Sequence, residues 1–271
     1  MRRAKMIELV ATCHSAAANN GWWDATYQKL QKDNVYTEGI IPITVMQKLA
    51  LVTSELAEAL EALRGGNRVN KEEFEIAYEK YSILTGPDMV SYHAVDEFKD
   101  YFKEAIKDTV EDEIVDTYVR IYDLVGFLMS MMVDSDNLEN IANTNSKEDI
   151  AKACETNFYQ VTPNEDLYVP IDRQVLLHYV GVTHTNEELL SNILYLVTVS
   201  RIAKLSALYR MFPDSQGLRM YVDAIMHSCI FPTLAALDLY VELLDMKVDR
   251  HMEMKLYYNN TRGKMHGGKN F

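Results

Sequence analysis

Residues 49–67 read LALVTSELAEALEALRGGN, and the rhythm of this stretch decides the fold. Val45, Leu49, Val52, Leu56, Ala59 and Leu63 recur at spacings of four and three, which places them on one face of a helix. Gly65, Gly66 and Asn67 supply the stop. Further along, 106–132 repeats the pattern through Ile106, Val110, Ile114, Tyr118, Ile121, Val125, Leu128 and Met132. Helices are also predicted over 3–18, over 189–212 up to Pro213, and over 233–258 after Pro232. Segments 20–43, 84–92, 134–147 and 157–173 read as irregular, and 66–96 as an acidic, partly helical insertion. Nothing alternates like a set of strands and no low-complexity linker divides the chain. The expectation is an all-α helical bundle forming one domain over residues 1–271.

A chain of 271 residues, 48% hydrophobic and 25% charged, can bury a sizeable core. Its net charge of −13 argues against stable nucleic-acid binding or attachment to an anionic membrane. No stretch reads as the roughly 18 apolar residues that a membrane span needs. The N-terminus, with Glu8, Thr12, His14 and Ser15 among its apolar residues, reads as a helix rather than a signal peptide. Cys13, Cys154 and Cys229 are isolated, which suggests neither a zinc site nor a disulfide framework and points to a reducing cytoplasm.

Glu55 and Glu58 lie three residues apart on the first strongly periodic helix, and Glu113 and Asp116 repeat that spacing on the second. Either pair alone is common on solvated helix faces. Four carboxylates converging across a helix pair would raise one another's pKa, and a hard cation such as Mg²⁺ or Mn²⁺ would relieve that repulsion. Such a cation in turn suits a phosphate substrate. No phosphate-binding glycine loop, nucleophile elbow or dinucleotide turn is present, so phosphate would have to be met by metal and side-chain cations.

Residues 48–67 followed by EDEIVDTYVRIYDL (111–124) resemble the MazG-like family, whose signature is Glu-x-x-Glu on one helix and Glu-x-x-Asp on the next. NNGWWD (19–24) is similar to that family's Gly-Phe/Trp-Trp segment, and KLYYNNTRGKMHGGKNF (255–271) resembles its Lys-x-x-Tyr-Asn-x-x-Arg tail. The resemblance implies an all-α bundle that hydrolyses a nucleoside triphosphate to monophosphate and pyrophosphate, commonly as a homo-oligomer, a dimer or tetramer. It implies Glu55, Glu58, Glu113 and Asp116 as ligands of Mg²⁺, or Mn²⁺, and Lys255, Asn259 and Arg262 as contacts to phosphate or base. Glu58 is the candidate general base, acting through a water. Relative to compact members, 66–96 and 130–232 are long; the single-chain relatives of dimeric dUTPase type share such a plan.

A degenerate internal repeat is one reading of the likeness between 49–64 and 195–210 and between 113–124 and 235–246; chance similarity of amphipathic helices is the other. A real repeat would set Arg201 and Lys204 at the positions of Glu55 and Glu58. Trp22 is the candidate for stacking on a nucleobase, although adjacent tryptophans commonly divide between core and surface. Lys48, two turns before Glu55, is a candidate phosphate contact, and His266 lies in the tail motif. Little of the apolar pattern lies beyond Lys255, so the tail is expected to be dispensable for folding. A catalytically inactive scaffold of the same fold is the alternative function. A di-metal redox centre is disfavoured because neither acidic pair carries the histidine of a Glu-x-x-His motif.

Overall fold

The computed structural model describes residues 3–32, 39–86, 92–133, 146–161, 187–188, 190–191 and 215–262. Among these every regular element is helical: α1 (Arg3–Asn19), α2 (Asp24–Lys32), α3 (Ile40–Arg64), α4 (Lys71–Leu84), α5 (Tyr92–Ala105), α6 (Val110–Val133), α7 (Lys147–Val161), α8 (Ser215–Ile225), α9 (Phe231–Leu243) and α10 (Val248–Asn260). The all-α expectation therefore holds. The candidate repeat partner 195–210, with Arg201 and Lys204, lies outside the described residues, as does His266.

Helix α6 is the axis of the bundle. Residues 121–132 are buried on every side, as a helix without a polar face must be. Helices α3, α1 and α7 pack along α6, and α7 also packs on α1. Part of the long 130–232 segment thus completes the main core. A second, aromatic core of Phe74, Phe98, Phe102, Ile106, Met254 and Tyr258 joins α4, α5 and α10. Phe102 stacks on Tyr258 with centroids 4.5 Å apart. This corrects the expectation for the tail: cutting after Lys255 would remove Tyr258, which is buried in that second core.

The α3 stop takes the form that its sequence promises. Gly66 adopts φ +70°, Gly66 N–H donates to Leu63 O, and Asn67 N–H donates to Ala62 O, which closes the helix in a Schellman turn. Asn67 then clasps the start of α6: its Nδ2 donates to Asp108 O at 2.6 Å and its carbonyl accepts from Val110 N–H at 3.0 Å. This clasp makes α3 and α6 antiparallel neighbours.

Several features differ from the sequence reading, beginning with 157–161, which continue α7 although 157–173 reads as irregular. Segment 20–43 contains α2 and the first turn of α3, where Pro42 is tolerated because the first N–H groups of a helix have no partner inside it. The run 106–132 becomes helical only at Val110, because Asp108 takes φ +63° and Thr109 caps α6 through its hydroxyl, which accepts from Asp112 N–H. The run 233–258 breaks at Asp245, φ +52°, where Asp245 N–H reaches Glu242 O and Met246 N–H reaches Val241 O. Finally, Ile40–Arg64 and Gly217–Leu243 are each long and apolar enough to cross a membrane by length and composition, contrary to expectation; half and about two-thirds of their apolar windows are buried inside the fold. The latter contains a π turn, Met226–Ile230, in which Phe231 N–H reaches Met226 O, just ahead of Pro232, a residue with no N–H to give its helix.

Candidate metal centre

The antiparallel α3 and α6 bring carboxylates from both helices together. Glu55 on α3 lies beside Glu113, Asp116 and Arg120 on α6. Glu55, Glu113 and Asp116 can each present one oxygen such that all three lie within 4.8 Å of one another. That is close to the ~4.2 Å between opposite corners of a magnesium octahedron. Glu55 and Glu113 are buried, whereas Asp116 is half-buried. Glu58, the fourth carboxylate expected from sequence, is exposed at the rim, where it accepts from Ser54 Oγ at 3.2 Å. It lines the same cleft but stands outside the close trio.

Two cations brace the trio. Arg120 Nε donates to Glu55 Oε1 at 2.9 Å. Lys255, reaching across from α10, places Nζ 2.7 Å from Asp112 Oδ1 and 2.6 Å from Asp116 Oδ2. Burial, with Asp116 and Asp112 adding to it, pushes the Glu113 carboxyl up to about 8. Burial likewise lifts Asp112 to about 6 against the pull of Lys255, with Asp116 adding to the rise. Burial and then Asp116 raise Glu55, against the pull of Arg120. Burial alone would lower Lys255, but Asp116 and Asp112 hold it above the ordinary lysine range. The protein concentrates more negative charge here than its own cations offset, on oxygens that hard divalent cations prefer. The trio could hold a metal ion.

The centre forms one wall of a cleft of about 770 Å³, a size that suits a nucleotide-scale ligand. Trp22, half-buried, lines this cleft and also a smaller cavity of about 180 Å³ shared with Asn20, Asn259 and Arg262. Arg262 is exposed in the turn beyond α10, its guanidinium 5.5 Å from the Tyr258 ring centre. Trp23, by contrast, is fully buried, stacked on Phe127 at 4.5 Å. The tryptophan pair divides between core and cleft as adjacent tryptophans commonly do.

Behind the cleft lies a buried polar knot. Asp123 accepts from Trp23 Nε1 at 2.7 Å and pairs with His14 Nδ1 at 2.8 Å, while His14 Nε2 meets Tyr27 Oη at 2.8 Å. Lys48 Nζ sits 3.4 Å from Asp123 Oδ2 and 3.8 Å from the centre of the Trp23 ring. Burial raises Asp123, but Lys48, His14 and Trp23 outweigh it and hold the carboxyl below its usual range. Lys48, the candidate phosphate contact, lines the cleft but is tied to Asp123 rather than to the acidic trio.

Spacing missed Asp112, Arg120 and Asp123. Asp112, Asp116 and Arg120 follow one another at a spacing of four, with Asp123 three further on, so these four share one face of α6; that signal was present in EDEIVDTYVRIYDL. Comparison of the chain with protein-family models, with curated proteins and with solved structures gave no match.

Proposed function

We propose that the chain is a Mg²⁺- or Mn²⁺-dependent nucleoside triphosphate pyrophosphohydrolase. The observation that carries this reading is the convergence of buried Glu55 and Glu113 with half-buried Asp116 at the wall of a nucleotide-sized cleft. The resemblance of its motifs to the MazG-like family supports the same assignment. Glu55, Glu113 and Asp116 would hold the cation, with Glu58 at the rim of the same cleft. When bound, the cation supplies charge neutralisation at phosphate oxygens and lowers the pKa of water.

The chain's own residues do the rest. Arg120 fixes Glu55, and the Asn67 clasp sets the register of α3 on α6. Glu58, exposed and therefore hydrated, is suited to orient an attacking water and accept its proton. Trp22 offers an aromatic face for a base, and Arg262 a planar fork for phosphate oxygens. Attack of water on phosphorus breaks the anhydride that links monophosphate to pyrophosphate.

The test is a panel of nucleoside and deoxynucleoside triphosphates and diphosphates incubated with Mg²⁺ and resolved by anion exchange. Monophosphate and pyrophosphate from at least one triphosphate are expected, and chelation should abolish them. Nucleotide binding with no turnover of any member would instead identify an inactive scaffold.

A further inference from the structure

Lys255 is the only buried lysine among the described residues, 4% exposed. Its ammonium bridges Asp112 and Asp116, and Asp116 is also one of the three carboxylates gathered for a cation. Asp116 therefore faces two positive partners. One is intramolecular and already present; the other would be divalent. Two cations on one carboxylate repel, and strongly where water is scarce. Asp112 stands outside the trio of Glu55, Glu113 and Asp116, although with Asp108 and Glu113 it forms a second carboxylate cluster, and it gives the ammonium a station that a cation in the trio need not contest. Lys255 and Asp116 both line the cleft, so an ammonium that leaves Asp116 has open space beside it.

We propose that Lys255 is a built-in counter-ion that a divalent cation must displace from Asp116, so that cation entry exposes the ammonium to the cleft and to a phosphate oxygen. This rests on the metal reading above and adds an order to it: cation first, anion second. The lysine neutralises the carboxylates while the centre is empty and becomes a ligand for substrate once the centre fills. Cation and triphosphate then bind with positive coupling, because each favours the displaced lysine.

Two measurements on the full chain without nucleotide test the exchange. The first titrates Mn²⁺ into the wild type and into Lys255→Met, reading free Mn²⁺ by its paramagnetic resonance signal. Removing the competitor should tighten Mn²⁺ binding at least ~5-fold, the lower end of ordinary coupling between sites. The second follows acetylation of Lys255 in the wild type by peptide mass spectrometry, and so holds even if the variant fails to fold. Lys255 should be protected without metal and should react at least ~5-fold faster with Mn²⁺ bound. A variant that binds Mn²⁺ no tighter, or a Lys255 that stays protected at Mn²⁺ saturation, overturns the exchange and leaves the metal centre standing. Failure of both proteins to bind Mn²⁺ removes the exchange and the metal reading together.

Discussion

Glu113 carries the residue-scale consequence of the site. Burial, Asp116 and Asp112 lift its carboxyl from 4.5 to about 8. Between those values the folded chain retains a proton that the unfolded chain has released, so metal-free stability must fall as pH rises through that window. In urea titrations the unfolding midpoint is expected to drop from about pH 5 to about pH 8, and Glu113→Gln should flatten the trend. A midpoint that rises over this range would contradict the site electrostatics. Cation binding has the opposite dependence, since the proton on Glu113 must leave first; Mn²⁺ affinity should grow across the same window. The sequence already showed Glu55, Glu113 and Asp116, because three-residue spacing on two periodic helices is a local property. It did not show that Lys255 would bridge Asp112 and Asp116, since that contact joins α6 to α10 across 143 residues in the first case.

At the scale of the element, two Schellman turns show what made a boundary legible. Gly66 ends α3 in the left-handed region that glycine adopts without strain, and its place in the sequence was read as a stop. Asp245 takes the same role after α9 at φ +52°, but aspartate gives no comparable signal, so α9 and α10 read as one helix. Helix approach is equally specific. Gly126 on α6 faces His14 on α1, and a Cβ placed there would lie 2.4 Å from the His14 Cβ. Gly126→Ala must push α1 away from α6 and disturb the His14–Asp123–Trp23 knot. Overpacking of this kind costs about 1–3 kcal/mol, and equilibrium denaturation is expected to show at least that loss. Unchanged stability would mean that the helices are not so closely held.

The described residues form a bundle around α6 with a second aromatic core among α4, α5 and α10, and the candidate centre lies where α10 reaches α6 from that second core. Helical periodicity foretold the class of fold, because each amphipathic face must find a partner. It could not foretell the partners themselves. The Asn67 clasp ties the end of α3 to the start of α6, and Met254 and Tyr258 anchor α10 on both sides of Lys255, which reaches α6. The proposed catalytic metal centre joins these scales, since its carboxylates come from two antiparallel helices. Its most direct test is Mg²⁺-dependent turnover of the preferred triphosphate by Glu55→Gln and Glu113→Gln. Each variant keeps shape and removes one charge, and each is expected to lose at least ~100-fold in turnover, as loss of a ligand to a catalytic cation entails. Near-wild-type turnover in both would contradict the account.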